Sequence, residues 1–515
     1  MPILSLGPWE PDSSGVDARD EAGRVILQTA RNVYPLKTGY GPMPGLSQIS
    51  TASLPNGETC RGIAFARTSS GGYEIFVGTR QRLYRYVSGA WQDYTRLVGP
   101  GGTAADRLYN VSTDDYWSFR QFGSRLIAVN INDEPQVLDV DTGASNFSQL
   151  SPTAPKARYV TVVGDFVVLG CLSSNNRIVR NSAINDSTGW SVGVNLCDEQ
   201  EFPDGGRVTG VAGGEFGYVL QEKAIRRMIF QPGSDTAFRF ERVEKEHGAA
   251  AGYSVVDTVN AVFFLSDDGF YAFGANGLVP IGAQRVNKWF QANSDTARFF
   301  SVVAFADPYA PRIAWAFFNA GSSATFDRLL IYDWQLDRWA YAQVSAQFWA
   351  TAVTAGLTLE DLDTYGRSSG VNSIDSPTDI PYSLDSRVWE GGRPVIGSID
   401  PSGRLAFLEG ALPLDAMLTT APLRLASGGR ANVGSVEPIG VFNGASLSIR
   451  VGRRERTQDA VSYTAAATPS ARSGVARLKA SGRFHEIETG ITQSAGALWT
   501  HCQALDIAAT ADGKK

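Results

Sequence analysis

Residues 254–282 read SVVDTVNAVFFLSDDGFYAFGANGLVPIG, and this stretch decides the fold class. Two apolar runs, 261–265 and 269–273, flank the turn residues Ser266, Asp267 and Asp268. Short runs rich in Val and Phe that are bounded by Asp and Gly are typical of β-strands joined by tight turns. With 254–256 before them and 278–282 after them, they predict four strands in one short unit.

The same unit recurs along the chain between residues 58 and 342. Four strands per unit are expected in most copies, with Gly, Ser or Asp in the gaps. The other predicted strands are 62–66, 73–78, 82–86 and 91–94; 116–120, 125–129, 136–140 and 147–150; 159–163, 166–169, 177–179 and a fourth near Trp190; 217–220, 224–229 and 238–243; and 302–305, 312–318, 329–333 and 338–341. Since one such unit cannot bury both of its faces, neighbours must stack around an axis. The repeat therefore predicts an all-β protein with a β-propeller of about six blades.

Composition changes divide the chain into four predicted segments. Residues 1–57 are rich in Pro, Gly and Asp and are interpreted as an extended N-terminal arm that lies on something else. Residues 58–342 form the predicted propeller, with a short helix at 287–290. Residues 343–425 are an insertion or linker region with short strands and a possible helix at 357–362. Residues 426–515 are a predicted C-terminal β-domain.

Charge and hydropathy narrow the range of functions. The net charge is −6 and the sequence pI is near 5.4, so a broad basic face that wraps DNA is disfavoured. The N-terminus lacks the basic start and apolar stretch of a signal peptide. No run reaches the roughly 18 apolar residues of a membrane helix. We expect a protein made in a cytoplasm, with no membrane-spanning segment.

Cysteine and histidine are too scattered to suggest a metal site. The four cysteines, Cys60, Cys171, Cys197 and Cys502, contain no C-x-x-C pair, and the chain has only three histidines. His501 and Cys502 are adjacent but have no second pair nearby. Four free thiols, mostly buried, are expected instead.

No catalytic group is assigned from the sequence. The carboxylate pairs Asp114–Asp115, Asp267–Asp268 and Asp361/Asp363 lie in predicted turns, where Asp caps backbone amides. Residues 182–190 resemble a sialidase hairpin in composition but not in spacing. Neither a G-x-S-x-G elbow nor a phosphate-binding loop is present. The sequence therefore predicts that the chain is not an enzyme and has no catalytic, cofactor-binding or metal residues.

One basic cluster stands out, formed by Arg450, Arg453, Arg454 and Arg456. If 446–451 is a strand that leads into a turn, the last three arginines crowd its end. A solvated turn, a subunit interface and a DNA-facing ring all remain open, because a guanidinium pairs with carboxylate or phosphate equally well.

Trp91, Trp190 and Trp339 fall near blade ends, where packing between blades is expected and sugar binding is the alternative.

A series of short words, in this order, resembles the tail nozzle or tail hub proteins of short-tailed bacteriophages, which include the packaged-DNA stabilisation proteins. The words are NVYP at 32–35 with PGL at 44–46, SAIND at 182–186 leading to Trp190, LSDDGFY at 265–271, IYD at 331–333 with Trp339, IRVGRR at 449–454, and GRF at 482–484 before Trp499. They extend over nearly the whole chain, and their order carries the resemblance. Residues 343–425 match none of them word for word.

The resemblance implies a structural protein of the virion tail, assembled in the host cytoplasm. It implies a homo-oligomeric ring, a homohexamer, below the portal and adaptor, that retains packaged DNA and conducts it during ejection. Implied partners are further copies of the chain, head–tail connector proteins, tail fibres or spikes, and the double-stranded DNA in the lumen. A conduit should not grip its DNA, and the acidic net charge agrees with that.

Two other functions remain open from the sequence. The abundant aromatics and Asp-rich turns would also suit a carbohydrate-binding or glycan-cleaving propeller that recognises a host receptor. A scaffold propeller of cellular origin is the third possibility.

Overall fold

The structure is a computed structural model, and it describes residues 3–97, 108–214, 216–258, 261–321, 325–353, 393–427 and 429–512. The described residues are almost entirely β-strands and turns, which confirms the all-β class. Within them, no helix combines the length and the apolar character that crossing a bilayer requires. The helix predicted at 357–362 lies outside the described residues.

The N-terminal segment is built into the chain's own sheets. It contains five strands: β1 (Leu4–Trp9), β2 (Val25–Arg31), β3 (Val33–Pro35), β4 (Tyr40–Pro42) and β5 (Ser47–Gln48). Two 3₁₀ turns, Pro11–Ser13 and Pro55–Gly57, interrupt it. The sequence shows no period here because these strands are short and several are buried on both faces. The predicted extended arm is therefore corrected to five paired strands, while contact of this segment with a neighbouring ring stays a prediction.

Six four-stranded antiparallel units follow in chain order. Their strands are β6 (Cys60–Arg67), β7 (Tyr73–Thr79), β8 (Leu83–Val87) and β9 (Ala90–Asp93); β10 (Ser118–Phe122), β11 (Arg125–Val129), β12 (Gln136–Asp139) and β13 (Ser148–Gln149); β14 (Ala157–Val163), β15 (Phe166–Leu172), β16 (Ile178–Asn181) and β17 (Asp198–Glu201); β18 (Val208–Ala212), β19 (Gly217–Gln221), β20 (Ile225–Phe230) and β21 (Phe238–Glu244); β22 (Val256–Asp257), β23 (Ala261–Leu265), β24 (Phe270–Gly274) and β25 (Gly277–Pro280); and β26 (Val303–Ala306), β27 (Arg312–Phe317), β28 (Arg328–Asp333) and β29 (Arg338–Ala342). These units agree with the predicted repeats, apart from individual strands.

Three details differ from the predicted strands. The third unit ends in β17, and Trp190 lies in the loop before it. The fifth unit begins at Val256, because Gly252–Ser254 forms a 3₁₀ turn. The fourth unit gains β18, which was not predicted. The short helix expected at 287–290 is present as α1 (Asn287–Asn293), followed by a 3₁₀ turn, Thr296–Ser301.

A seventh four-stranded sheet lies beyond the predicted repeat. Its strands are β30 (Phe348–Val353), β31 (Pro394–Ile399), β32 (Leu405–Phe407) and, from the N-terminal segment, β5. β5 pairs antiparallel with β32, Gln48 opposite Ala406 and Ser47 opposite Phe407. The outer strand of this sheet therefore comes from the other end of the chain, which no local sequence pattern could indicate.

The remaining strands belong to one large sheet of fifteen strands. They are β33 (Ala416–Thr420), β34 (Ala431–Val441), β35 (Ser446–Arg454), β36 (Ser462–Tyr463), β37 (Ala476–Gly482), β38 (Phe484–Thr492) and β39 (His501–Ala511). β1 lies between parallel β2 and antiparallel β39, and β2 also pairs with β29 and β33. This sheet thus joins the sixth unit, the N-terminal segment and the C-terminal strands.

The approach of the N-terminal segment to β39 is close. Gly39 has a φ of +79°, and a Cβ there would lie 2.1 Å from the carbonyl oxygen of Cys502. A residue with a side chain would be strained in this left-handed conformation and would also overlap the backbone of β39. Gly39 thereby allows the turn between β3 and β4 to lie directly on the C-terminal strand.

The first strands of the four-stranded units lie beside one another in chain order. β6 lies beside β10, β10 beside β14, β14 beside β18, β22 beside β26, and β26 beside β30. The 3₁₀ turn before β22 contacts β18, and β30 lies beside β6. Apolar side chains fill the spaces between successive sheets, as in the core shared by β6–β8 and β10–β12. Each sheet is therefore covered by its neighbours, which explains why the middle strands are apolar on both faces.

Candidate functional site

Two of the four predicted site arginines are held by glutamates of the same chain. Arg450 and Arg454 lie on one face of β35, since side chains alternate along a strand. The Arg450 Nη1 is 3.1 Å from the Glu488 Oε1, and the Arg454 Nη2 is 2.8 Å from the Glu486 Oε1. Both glutamates belong to the adjacent strand β38. These two guanidinium groups therefore hold β35 and β38 together.

Tyr463 of β36 completes this face. The Arg450 guanidinium lies 4.7 Å from the centre of the Tyr463 ring, and the Tyr463 hydroxyl donates to the Glu486 Oε2 at 3.3 Å. Gly452 leaves room for the Tyr463 ring, because a Cβ at that position would lie 3.0 Å from the Tyr463 Cε1. Burial raises the pKa of Glu486, and the Arg454 charge opposes that rise. Burial and the neighbouring glutamates raise the pKa of Tyr463 to about 12.

Arg453 and Arg456 are exposed at the end of β35, where the chain turns toward β36. The turn is fixed by the Arg456 amide, which donates to the Asp459 Oδ2 at 2.9 Å, and by the Arg454 guanidinium, which donates to the Thr457 carbonyl at 3.0 Å. We call Arg453, Arg456 and the adjacent exposed Arg483 the basic turn. Such a surface can bind carboxylate or phosphate groups.

The sequence analysis did not single out Arg483. It joins the basic turn because the β37–β38 hairpin places it beside the end of β35, with its amide donating to the Arg454 carbonyl at 3.2 Å. Arg483 and Arg454 are nearly thirty positions apart in the sequence, so only the strand pairing brings them together.

A second cluster lies at the starts of the first strands, and the sequence analysis missed it. We call Asp115, Tyr116, Arg158, Tyr159 and Tyr253 the tyrosine cluster. The Arg158 Nε is 3.2 Å from one carboxylate oxygen of Asp115, and the Tyr253 hydroxyl donates to the other. The rings of Tyr116 and Tyr159 meet Tyr253 edge-on, with centroids 5.0 and 5.4 Å away.

The tyrosine cluster binds several sheets to each other. The Tyr116 hydroxyl donates to the Ser301 carbonyl at 3.2 Å, and the Tyr116 ring contacts Phe348 of β30. Burial and the Asp115 charge raise the pKa of Tyr253 far above its usual value. The Asp115 carboxylate, the Arg158 guanidinium and the hydroxyls of Tyr116 and Tyr253 each have a partner inside the cluster or on the adjoining backbone. The arrangement therefore supports packing rather than chemistry on a substrate.

Two of the three predicted carboxylate pairs lie in the described residues. Asp115 is buried, where it pairs with Arg158 and accepts a hydrogen bond from the Tyr116 amide at 3.2 Å, whereas Asp114 is exposed. Asp267 pairs with Lys223, and Asp268 accepts a hydrogen bond of 2.6 Å from the Tyr271 hydroxyl. Asp361 and Asp363 lie outside the described residues. In residues 182–190, Asp186 accepts hydrogen bonds from the amide and hydroxyl of Thr188, which makes this stretch a structural turn.

The predicted tryptophans and cysteines are buried. Trp91, Trp190 and Trp339 are at most 8% exposed, which confirms packing as their role. All four cysteines are free and buried, as expected. Among the described residues, no three His, Cys, Asp or Glu side chains converge as metal ligands would.

No family model matches the chain, and no curated protein matches it in sequence.

Proposed function

We propose that this chain is a structural protein of a bacteriophage tail that assembles into a ring, a hexamer, below the portal and adaptor. In that position it retains packaged DNA and conducts it during ejection. The ordered resemblance from Asn32 to Trp499 supports the proposal, and the strand pairing that joins both ends of the chain in one large sheet suits a mechanical role. Partners are other copies of the chain, connector proteins, and tail fibres or spikes.

The observation that carries the proposal is the path of residues 4–48. This segment places four strands in the large sheet and a fifth in the seventh four-stranded sheet. One continuous backbone segment, residues 4–48, thus joins the large sheet to the seventh four-stranded sheet. A tail protein that bears the pressure of packaged DNA must resist the separation of its sheets from one another. A protein that only binds a ligand does not need this resistance.

We further infer that the seven four-stranded units form a closed propeller, with seven blades rather than six. The first strands follow one another in a cycle, with β30 beside β6. β5 supplies the outermost strand of the last blade, so that the N-terminal and C-terminal parts of the propeller are joined in one sheet. This form of closure resists opening at the last blade.

The tyrosine cluster bears on where DNA would pass. Tyr116 and Tyr159 are buried and Tyr253 is half-buried, and their rings meet where the starts of the first strands come together. We therefore do not place the DNA duplex along the axis of a single propeller. In this proposal the conduit lies between copies of the chain, and each copy contributes a net charge of −6.

The basic turn fits a contact between copies or with DNA in the lumen. Arg450 and Arg454 are neutralised by Glu488 and Glu486, so Arg453 and Arg456 are the members of the predicted cluster that point outward. Placed at a subunit interface, they would pair with carboxylates of the acidic neighbour. Placed in the lumen, they would contact phosphates.

Electron microscopy and native mass spectrometry test the proposal. The purified chain, alone and mixed with its connector proteins, is expected to form rings of six copies. The double variant Arg453→Glu/Arg456→Glu should lose the ring if the basic turn is an interface, and Arg477→Glu, an exposed arginine on β37, is the matched control. A chain that stays monomeric at all concentrations and never appears in purified tails would refute the proposal.

One observation favours the carbohydrate alternative in its binding form. An open cleft lined by the exposed Tyr309 and the half-buried Trp334 lies on the sixth four-stranded unit. It is compatible with a ring that also touches a host surface.

A further inference from the structure

The two loops at one end of the sixth unit form an open cleft. Residues 307–311 connect β26 to β27, and residues 334–337 connect β28 to β29. The cleft between them is lined by Asp307, Pro308, Tyr309, Ala310, Pro311, Trp334 and Gln335. Its surface is mainly polar, with aromatic faces set into it. Nothing in the proposed ring assigns a role to these residues.

Both loops are held rigid by carboxylates. The Asp307 Oδ1 accepts hydrogen bonds from the Tyr309 amide at 2.9 Å and the Ala310 amide at 3.3 Å. In the other loop, the Asp333 Oδ1 accepts from the amides of Gln335 and Leu336 at 3.2 and 2.9 Å. Each loop is thus closed by an Asp that bonds its own backbone, as in an Asx turn.

Arg312 fastens the two loops to each other. Its guanidinium lies 3.7 Å from the Asp307 Oδ2 and 3.4 Å from the Asp333 Oδ2, and it stacks 4.2 Å above the Tyr34 ring. The Trp334 amide also donates to the Pro311 carbonyl at 2.9 Å, which ties the loops directly. A cleft fixed in this way loses little conformational entropy when a ligand binds.

Two aromatic side chains line the cleft and differ in their exposure. Tyr309 is 61% exposed. Trp334 is half-buried, with one part of its ring against Phe263 at 5.8 Å between centroids. The other described tryptophan that is not fully buried, Trp289, packs against Trp9 and Tyr341. The cleft therefore presents one exposed and one half-buried aromatic side chain, Tyr309 and Trp334.

We propose that this cleft binds the sugar rings of a neutral polysaccharide. Tyrosine and tryptophan combine an apolar face with a polar tip, which matches a sugar ring that has apolar C–H faces and hydroxyl edges. The exposed Gln335 amide and the Tyr309 hydroxyl can bond those hydroxyls. Asp307 is engaged by its loop and by Arg312, so the cleft carries no unpaired charge that would select a charged ligand.

A proline-rich peptide is the competing ligand, because such peptides also bind aromatic-lined grooves. The mainly polar surface of the cleft favours a sugar, since a peptide groove presents chiefly aromatic and apolar faces. The experiment separates the two.

Affinity electrophoresis in native gels tests the proposal on the full chain in whatever assembly it forms. The gels contain dextran, mannan or galactan, and binding retards migration. At least one of these polysaccharides is expected to retard the wild-type protein. Tyr309→Ala should weaken that retardation at least about tenfold, which corresponds to about 1.4 kcal/mol. Tyr309→Phe, which keeps the stacking face, should retain most of it.

Phe300→Ala is the matched control, since Phe300 is an aromatic of similar exposure, 55%, outside the cleft. It should migrate as the wild type does in every gel, and thermal unfolding of each variant checks that the fold is intact. The proposal is overturned if none of the three polysaccharides retards the protein, if Tyr309→Ala binds as well as the wild type, or if only a fluorescent decaproline peptide binds. Sugar binding by a chain that never forms rings would leave this inference standing and remove the proposed tail role.

Discussion

At the residue scale, charge pairs in the interior hold strands from different parts of the chain. Asp115 is 4% exposed and is bound by Arg158 and by the Tyr253 hydroxyl. The Glu486 side chain is 4% exposed and is bound by Arg454. Loss of one partner leaves the other buried without compensation, which costs more than the pair itself contributes. Substitutions at such positions should therefore be far more damaging than at neighbouring exposed positions.

The tyrosine cluster gives the clearest comparison. Asp115→Ala should lower the free energy of unfolding by about 3 kcal/mol, because Arg158 and Tyr253 lose their common acceptor. Asp114→Ala, the exposed neighbour, should change it by less than about 0.5 kcal/mol. Urea denaturation followed by tryptophan fluorescence measures both. Equal effects of the two substitutions would contradict the assignment of Asp115 as the centre of the cluster.

Arg454 and Arg453 offer a second comparison, on adjacent positions of β35. The Arg454 side chain is 15% exposed, and Arg454→Ala should lower the unfolding free energy by about 2–3 kcal/mol, since Glu486 is left unpaired. Arg453→Ala should have an effect below about 0.5 kcal/mol on the isolated chain. If Arg454→Ala were as stable as Arg453→Ala, the ion pair with Glu486 would not be holding β35 to β38.

His485 should make stability depend on pH. It is fully buried, and its Nε2 lies 3.2 Å from the Ala480 carbonyl. Burial lowers the pKa of the imidazole below its usual value of about 6.5. The unfolded chain therefore binds a proton that the folded chain rejects, so stability is full above about pH 6.5 and falls as the pH drops toward the folded pKa.

His485→Phe should remove that dependence. Between pH 7 and pH 5, the wild type should lose up to about 1.4 kcal/mol more stability per pH unit than the variant. Glu486, whose pKa burial raises, acts in the opposite direction in both proteins, so the difference between the two isolates His485. Parallel profiles for wild type and His485→Phe in urea titrations at each pH would contradict the argument.

At the element scale, the short strand β5 has more contacts than its two residues suggest. The Ile49 amide donates to the Leu405 carbonyl at 2.8 Å, and the Leu405 amide donates to the Ser50 Oγ at 2.9 Å. The Gln48 side chain donates to the Asp400 Oδ2 at 2.7 Å. The end of the seventh sheet is thus held by backbone and side-chain bonds to residues more than 350 positions away in sequence.

Ile49→Pro tests this closure. Proline removes the amide that bonds Leu405, so the unfolding free energy should fall by about 2–3 kcal/mol, and residues 393–407 should become sensitive to protease. Ile49→Ala keeps the amide and removes a side chain that is already 45% exposed, so its cost should stay below about 1 kcal/mol. Denaturation and limited proteolysis measure both. If Ile49→Pro resisted protease as well as Ile49→Ala does, β5 would not close the sheet.

The strand β5 also shows which features of the fold the sequence could predict and which it could not. The strands from Cys60 to Ala342 were predicted largely correctly because their turns and apolar runs are local signals. β5 and β1 were missed because their pairing depends on partners at the other end of the chain. Of the site, the arginines at 450–456 were found as a cluster, but their division into paired and exposed residues depends on β38. The tyrosine cluster joins Asp115 to Tyr253, a contact that no local pattern encodes.

At the scale of the whole molecule, the C-terminal strands do not form a self-contained unit. β39 pairs with β34 on one side and with β1 on the other, and β38 pairs with β33. β33 in turn pairs with β2. The domain boundary predicted at residue 426 therefore lies between two paired strands, β33 and β38. It also leaves β1 and β2, which pair with β39 and β33, outside the predicted C-terminal domain. An exposed edge of β39 would present unpaired backbone groups and buried apolar side chains to water.

Fragments of the chain provide the test of this interdependence. Residues 426–515 expressed alone should fail to fold, because Leu505, Ile507 and their neighbours lose the cover that β1 provides. Residues 416–515 joined by a flexible linker to residues 3–42 should regain a dispersed amide spectrum and a cooperative thermal transition, since β1–β4 and β33 are restored. The matched control is the same fusion with the 3–42 segment in shuffled order, which should remain unfolded. A well-dispersed spectrum from 426–515 alone would mean that these residues fold as an independent domain without the N-terminal strands. The pairing of the N-terminal strands would then no longer support the proposed mechanical role.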